Sequence, residues 1–178
     1  QKQRRKLCFF ISNHHITQIK KMNKDPFTII VDTREQTPWE FGHHTTSREK
    51  LDTGDYSMQG YEHLLAIERK RSVSEIATNI TENRFSDVLK RLNNIPHAFM
   101  IFEFDVMDIY NYPIGSDVPK KMWDKLKIGG NYIMKVLTEI QLNSHIHILY
   151  CGCSSTAERV AVGIMKRIYE KYGSSIKI

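Results

Sequence analysis

Two carboxylates and a lysine lie close together in this sequence and could act on one substrate. Asp55 belongs to a Gly-Asp-Tyr string, and Glu68 and Lys70 belong to an Ile-Glu-Arg-Lys string. Carboxylate oxygens are the ligands that hard divalent cations prefer. A lysine beside such a cation can help to deprotonate water or to offset charge on a phosphate. These side chains are therefore typical of metal-assisted hydrolysis.

Two predicted strands must position these side chains, and they cover residues 51–58 and 64–70. Alternate residues of a strand point to the same face. Glu68 and Lys70 therefore share one face, and Arg69 points to the other.

The register of this hairpin decides whether a site can form. If Asp55 pairs with Ala66 or Glu68, then Asp55, Glu68 and Lys70 share a face. A two-residue turn would instead leave Glu68 four positions away, roughly 13 Å from Asp55. The site hypothesis therefore requires a longer loop, centred near Tyr61.

A third carboxylate follows a short apolar run. Residues 27–31 are rich in β-branched side chains and predict a buried strand that ends at Asp32. A carboxylate at the end of a buried strand is costly unless it is paired or bound to a metal.

Residues 40–49 are predicted to form a loop. Its His43-His44 pair is expected to be solvated rather than to bind a metal.

The rest of the chain alternates helices and strands. Ser72 followed by Glu75 forms a capping box that starts a helix, and a break near residues 81–83 separates it from a second helix. The further predicted elements are a strand at 97–104, a loop at 105–118, helices at 119–128 and 131–142, a strand at 146–151 and a helix at 156–172. This order predicts an α/β domain with a mixed sheet.

The positive charge of the chain is concentrated at one end. The formal charge is +6, but residues 1–24 hold seven of the 26 basic side chains and none of the 20 acidic ones. Residues 25–178 therefore carry 19 basic and 20 acidic groups. We expect a basic extension over residues 1–24, poorly ordered or not native, with Met22 as a candidate start. A nucleic-acid-binding arm is the alternative.

Cysteine usage and hydropathy indicate the compartment. Cys8, Cys151 and Cys153 form neither a disulfide framework nor a zinc pattern, so we expect reduced thiols in an intracellular protein. No apolar run approaches the roughly 18 residues that would cross a membrane. We therefore expect one domain over residues 25–178 and no membrane partner.

Three blocks of sequence resemble a known family. They are Val31-Asp32-Thr33-Arg34-Glu35, Gly54-Asp55-Tyr56 and Ile67-Glu68-Arg69-Lys70. In this order and at compatible spacing they resemble the nuclease domain of the XPF family of structure-specific endonucleases, within the PD-(D/E)XK superfamily. The resemblance is good over residues 27–104 and looser to about residue 172. It implies a restriction-endonuclease-like α/β fold, with a mixed central sheet flanked by helices.

The sequence departs from the family in two places. The family signature ends in an aspartate where this chain has Ser74, and the nearest acid is Glu75. Nothing after Tyr172 resembles the paired helix-hairpin-helix domain that supports dimerisation and junction binding in eukaryotic members. We therefore expect a compact nuclease, similar to viral or phage members.

The resemblance implies a metal centre. One or two Mg²⁺ or Mn²⁺ ions would be held by Asp55, Glu68 and the backbone carbonyl of Arg69, with Asp32 bound directly or through water. Lys70 would orient or deprotonate the attacking water and offset phosphate charge. The implied products carry a 5′-phosphate and a 3′-hydroxyl.

Other charged residues are candidates for supporting roles. The residues expected to contact DNA phosphates, which match a guanidinium fork, are Arg34, Arg71, Arg84 and Arg91. For Arg84 and Arg91 an ordinary solvated helix face is equally open. Glu35 and Glu103 could support the metal ligands from behind, and Glu35 could equally be a surface acid.

These observations predict a metal-dependent endonuclease that hydrolyses phosphodiester bonds in branched, flapped or otherwise structured DNA, during repair, recombination or replication. A homodimer and a partner protein that recognises the junction are both open. The expected location is the nucleus for a eukaryotic or nuclear viral protein and the host cytoplasm for a phage protein. The alternatives are an inactive DNA-binding scaffold of the same fold and a restriction-like nuclease that cuts duplex DNA. A small-molecule enzyme is disfavoured, because the chain has no glycine-rich phosphate loop and no nucleophile elbow.

Overall fold

A mixed sheet runs through the middle of the computed structural model, which describes residues 26–173. The predicted basic extension, residues 1–24, lies outside the described residues. The strands are β1 (Ile29–Asp32), β2 (Thr46–Glu49), β3 (Tyr56–Met58), β4 (Leu65–Lys70), β5 (His97–Phe102) and β6 (His147–Tyr150). The helices are α1 (Val73–Ile80), α2 (Asn83–Asn93), α3 (Val106–Tyr110), α4 (Gly130–Asn143) and α5 (Ser154–Tyr172), with a 3₁₀ helix at Lys120–Lys125.

The strands lie in the order β2-β1-β3-β4-β5-β6. The pairs β1/β3 and β3/β4 are antiparallel, and the pairs β1/β2, β4/β5 and β5/β6 are parallel. This arrangement confirms the predicted α/β fold with a mixed central sheet flanked by helices.

Helices cover both faces of the sheet, which explains why its central strands are apolar almost throughout. On one face, β4 contributes Ala66 to a core that includes α1, α2 and α4. On the other face, Leu65 and Ile67 of β4 pack with α5 and with an aromatic group from the β1–β2 connection. Residues 66, 68 and 70 therefore face α1 and α2, and residues 67 and 69 face α5.

Four segments differ from the sequence-based prediction, and in one of them the helix predicted at residues 119–128 is only a 3₁₀ helix at Lys120–Lys125. The predicted loop at residues 40–49 contains β2, an edge strand whose residues are largely exposed, so that no apolar alternation marks it. The strand predicted to begin at residue 51 begins at Tyr56, because the chain before it bends. The predicted loop at residues 105–118 contains the short helix α3.

The helical hairpin after β4 agrees with the prediction, except that only one half of the capping box is present, because the Glu75 side chain accepts from the Arg71 N–H and not from the Ser72 N–H. The Ser72 hydroxyl accepts a hydrogen bond from the Glu75 N–H at 3.2 Å and caps α1. The break before α2 lies near the expected residues. No helix within residues 26–173 is long and apolar enough to cross a membrane.

Candidate active site

The β3–β4 hairpin has the register that a site requires. Tyr56 pairs with Ile67, and the Asp55 N–H donates to the carbonyl oxygen of the same Ile67 at 2.8 Å. Asp55 therefore lies at the last rung of the ladder, within one position of Glu68. The connection covers residues 59–64, which is the longer loop that the site hypothesis required.

Gly54 makes this approach possible. Its φ of 80° lies in the left-handed region that favours glycine, and a Cβ atom there would lie 2.9 Å from the Ile67 carbonyl oxygen. Any side chain would therefore push the segment away from β4. The glycine of the Gly-Asp-Tyr string is thus a steric requirement for placing Asp55 beside Glu68.

The carboxylates of Asp55 and Glu68 lie close enough for their negative charges to repel each other. Burial and the negative charge of Glu68 raise the pKa of Asp55 to about 8, although the Arg69 N–H donates to Asp55 Oδ2 at 2.7 Å. A buried carboxylate beside a second one favours the binding of a cation or a proton. The pair therefore has the chemistry of a cation site.

Lys70 completes the group on this face of the sheet. Its buried Nζ lies 2.7 Å from Glu68 Oε1 and 3.5 Å from Glu75 Oε1. Burial lowers the pKa of Lys70, but the charge and hydrogen bond of Glu68 outweigh burial, and the net shift is upward. Lys70 is therefore an ammonium group, suited to offset phosphate charge. To act as a base, it would need a further cation nearby to reverse this balance.

Asp32 is used differently from the other acids. It is 1% exposed and does not line the cavity around Asp55 and Glu68. Its carboxylate accepts hydrogen bonds from the Arg34 N–H (2.8 Å), Nε (2.7 Å) and Nη2 (3.0 Å) and from the Leu51 N–H (2.7 Å). Burial raises the pKa of Asp32, but these hydrogen bonds outweigh burial and lower it overall. Asp32 thereby fixes Arg34 at the edge of the cavity.

The Arg69 side chain lies on the opposite face of β4 from Glu68 and Lys70, as the strand alternation predicts, and its guanidinium also lies 3.7 Å from Glu35 Oε1. Its Nε lies 2.7 Å from Glu103 Oε1, and its guanidinium lies 5.1 Å from the centre of the Trp39 ring. The Trp39 Nε1 also donates to Glu103 Oε1, at 2.6 Å, and its ring stacks on Tyr56. Glu103 thus secures Arg69 from behind the site. Trp39 and Tyr56 were not anticipated as partners, although Tyr56 belongs to the Gly-Asp-Tyr string.

An open cavity of about 310 Å³ lies over the carboxylates. Of the four predicted arginines, Arg34, Arg71 and Arg84 line it, and Arg91 does not. The Arg71 guanidinium donates to the Thr37 hydroxyl at 2.6 Å. The predicted acids Asp55, Glu68 and Glu35 line the cavity, and the lining residues not anticipated as part of the site include Glu75, Asn79 and Glu82.

The departure at the end of the family signature has a local explanation. Ser74 occupies the position of the expected aspartate and donates a hydrogen bond from its hydroxyl to Asp117. A carboxylate from the loop after α3 therefore reaches this position. Glu75 accepts a hydrogen bond from the Arg71 N–H at 2.9 Å as well as facing Lys70, so it serves both the helix start and the cavity.

The oxygen atoms of the site suit a magnesium-like cation. Within residues 26–173 no three His, Cys, Asp or Glu side chains converge as a complete metal site. Mg²⁺ usually takes one or two protein carboxylates and keeps waters and substrate phosphate oxygens as its other ligands. Asp55 and Glu68 supply two carboxylates, and the Arg69 carbonyl lies on the same strand edge as the N–H that contacts Asp55. These residues therefore fit the implied metal.

Comparisons with known proteins agree with this geometry. The ERCC4 domain family matches residues 31–161. The XPF structure from Aeropyrum pernix is similar at 17% identity and a TM-score of 0.56, over 78% of this chain and 64% of that one. The XPF structure from Aeropyrum pernix in complex with DNA is similar at 18% identity and a TM-score of 0.57, over 82% and 66% of the two chains. This chain thus spans less than two thirds of each of those proteins.

No protein with a curated record matches the chain in sequence. The family match covers well over half of the chain and includes Asp32, Asp55, Glu68 and Lys70. The strand order and the flanking helices agree with the XPF nuclease fold. The chain therefore belongs to the ERCC4 domain family, as a nuclease domain of the XPF kind.

Proposed function

We propose that this protein is a DNA endonuclease that depends on Mg²⁺ or Mn²⁺ and hydrolyses phosphodiester bonds in branched, flapped or otherwise structured DNA. The observation that carries the proposal is the half-buried pair of Asp55 and Glu68, beside the ammonium group of Lys70, in an open cavity edged by arginines. This is a cation site next to a site for anions. Metal-assisted phosphodiester hydrolysis uses both.

Asp55, Glu68 and the Arg69 carbonyl would hold the cation. When bound, such a cation supplies Lewis acidity towards water and phosphate. The Arg69 N–H orients the Asp55 carboxylate at 2.7 Å, and Lys70 restrains Glu68 through the contact between Nζ and Oε1. Both carboxylates are therefore held in position before substrate arrives, which lowers the reorganisation cost of the reaction.

The cationic groups would bind and orient the phosphates. Lys70 carries its charge inside the cavity and would offset the charge that develops on the scissile phosphate. Arg34 and Arg71 are held in position by Asp32 and Thr37, and they would hold neighbouring phosphates at the edge. Arg84 is 80% exposed and would contact DNA farther out. None of these contacts reads a base, so the cavity favours recognition of DNA shape.

The proposed setting is DNA repair, recombination or replication inside the cell. A homodimer or a partner protein would supply junction recognition. The implied products keep a 5′-phosphate and a 3′-hydroxyl.

The test is a cleavage panel of flap, fork, nicked and plain duplex DNA with Mg²⁺ or Mn²⁺. The wild-type protein is expected to cut at least one branched substrate. The Lys70→Ala variant should bind the same DNA but cut it about 100-fold more slowly, because it loses a buried cation next to the phosphate.

Three outcomes would count against the proposal. Cleavage by Lys70→Ala at the wild-type rate would remove Lys70 from the chemistry. Tight DNA binding by the wild type without cleavage on any substrate would favour the inactive scaffold. Faster cutting of plain duplex than of branched DNA would favour a restriction-like nuclease.

A further inference from the structure

A second basic surface lies outside the cavity, on residues 119–128. This segment carries one acid, Asp124, and four exposed lysines, which are Lys120, Lys121, Lys125 and Lys127. The remainder of residues 25–178 holds 15 basic and 19 acidic groups, as counted from the sequence. A local net charge of +3 therefore lies on an otherwise acidic domain. Such a concentrated patch attracts polyanions.

The lysines stand on an ordered frame. The first three belong to the 3₁₀ helix or its end, and the Trp123 Nε1 donates to the Val118 carbonyl at 3.1 Å. Val118, Leu126 and Ile128 are partly buried and pack against the core that contains α1 and α4. The apolar residues therefore face inward while the lysines face solvent.

These lysines are not neutralised by neighbours. Within residues 26–173, none of the four forms an ion pair with an acidic side chain, and Asp124 forms none either. By contrast, Lys135 pairs with Glu139 and Arg167 pairs with Glu170 on the helices α4 and α5. The positive charge of the segment is therefore available to a ligand.

The segment lies close to the cavity. The loop that leads into it is tied to the start of α1, because the Ser74 hydroxyl donates to Asp117. The same helix lines the cavity with Glu75 and Asn79. The loop that leads into the lysine segment and the cavity therefore both adjoin the first turn of α1, a helix about 10–12 Å across. A nucleic-acid strand places a phosphate every 3.4 Å or so along a duplex, so one DNA molecule can reach both.

We propose that residues 119–128 bind the phosphate backbone of one DNA arm while the cavity engages the scissile phosphate of the same molecule. This inference rests on the proposed nuclease function and adds a surface that would orient DNA across α1. Lysines are point charges on flexible stems, and they contact phosphates without reading bases. The surface therefore suits a substrate that is recognised by shape.

The experiment measures DNA binding by fluorescence anisotropy over a range of salt concentrations, in EDTA so that no cleavage is expected. The test variant changes Lys120, Lys121, Lys125 and Lys127 to Gln. The control variant removes the same number of positive charges elsewhere on the surface. It changes Lys90, Lys135, Arg167 and Lys171 to Gln. A third variant changes the four segment lysines to Arg.

The test variant should lose about 10-fold or more in affinity for branched DNA, and the slope of log K against log salt should fall by about 2 to 4, since each phosphate contact contributes about 0.9. The control should change affinity much less, and the Arg variant should bind like the wild type. Circular dichroism and thermal unfolding are expected to match the wild type for all three variants, because every changed side chain is on the surface.

An equal loss of affinity in the test and control variants would overturn the inference, because net charge alone would explain it. Unchanged DNA binding together with lysine-dependent binding to phosphatidylserine vesicles would overturn it in favour of a membrane surface. If the lysines bind DNA but the wild type cuts no substrate with Mg²⁺, the proposed function fails and this surface stands. If the wild type cuts DNA and the test variant binds DNA like the wild type, the proposed function stands and the inference about this surface fails.

Discussion

At the scale of single residues, the site depends on a pair of acids that are unfavourable without a partner. Asp55 lies within one ladder position of Glu68, and its raised pKa shows that the pair favours a proton or a cation. Lys70 offsets part of this charge through Glu68 but faces Glu75 as well. The protein therefore holds a local excess of negative charge where a divalent cation would bind.

A pH dependence of stability follows from Asp55. Burial and the charge of Glu68 raise its pKa from an ordinary value of 3.8 to about 8 in the folded protein. A raised carboxyl pKa contributes stability that is fully present below the unfolded value and is lost as pH rises through the folded value. Thermal unfolding of the metal-free protein should therefore show that the stability of Asp55→Asn relative to wild type increases as pH is raised from 5 to 9. A constant difference across this range would contradict the shift. Added Mg²⁺ should reduce the stability difference between Asp55→Asn and wild type at high pH, because it stabilises the ionised carboxylates of Asp55 and Glu68 in the wild type.

Sequence reasoning predicted that Asp55, Glu68 and Lys70 lie together, but it did not predict the hydrogen bonds of Asp32. The carboxylate of Asp32 accepts hydrogen bonds from Arg34, two residues away, and from the Leu51 N–H. This arrangement depends on the turn after β1 and on the path of the chain to Leu51, and neither has a periodic signal. A string of residue types shows which groups are present, whereas their hydrogen-bond partners follow from the fold.

At the scale of elements, the β3–β4 hairpin sets the distance between the acids. The sequence could show which register the site needs, because only a long loop brings Asp55 near Glu68, and the structure has that register. The edge strand β2 was not predictable, since an exposed strand that pairs on one side carries no apolar pattern. The break between α1 and α2 was predictable, because the apolar stripe changes phase there.

Gly54 and Gly60 provide a matched pair for testing the hairpin. Both have positive φ, 80° and 81°, but a Cβ at Gly54 meets the Ile67 backbone while a Cβ at Gly60 meets open space. Gly60→Ala should cost about 1–2 kcal/mol for the backbone conformation alone. Gly54→Ala should cost a further 1–3 kcal/mol or so from the clash. Chemical denaturation measures both, and equal costs would show that the close approach to β4 is not a constraint.

The buried pair of Arg69 and Glu103 links β4, β5 and the β1–β2 connection, which includes Trp39. Glu103→Leu removes the nearer charge partner of the buried Arg69 guanidinium, which keeps Glu35 at 3.7 Å, and should cost about 1–3 kcal/mol of folding stability. Adding Arg69→Met should recover part of that loss, because both charges are then absent. A double-mutant cycle should give a coupling energy above about 1 kcal/mol. Additive effects would show that the pair is not a unit.

At the scale of the whole molecule, the two faces of the sheet have separate roles. The face covered by α1 and α2 carries the cavity with Asp55, Glu68 and Lys70. The face covered by α5 carries Arg69, Trp39 and Tyr56, which are packed and hydrogen-bonded. One strand therefore carries Glu68 and Lys70 of the cavity at alternate positions and packs the residues between them on the other face of the sheet.

The distribution of charge also matters at this scale. The positive formal charge belongs to residues 1–24, and the remainder is close to neutral. We therefore predict that the DNA affinity of the domain comes from local groups, namely the arginines of the cavity and the lysines of residues 119–128. Overall composition could not reveal this, because it averages over both regions.

The most direct test of the central claim is the single-turnover rate of branched-DNA cleavage with Mg²⁺, compared between wild type, Glu68→Gln and the surface control Glu139→Gln. We predict that wild type and Glu139→Gln cut at similar rates, that EDTA abolishes both, and that Glu68→Gln is slower by about 100-fold or more. A Glu68→Gln rate within a few-fold of wild type, or wild-type cleavage that persists in EDTA, would contradict the assignment of this site as a metal-dependent nuclease centre.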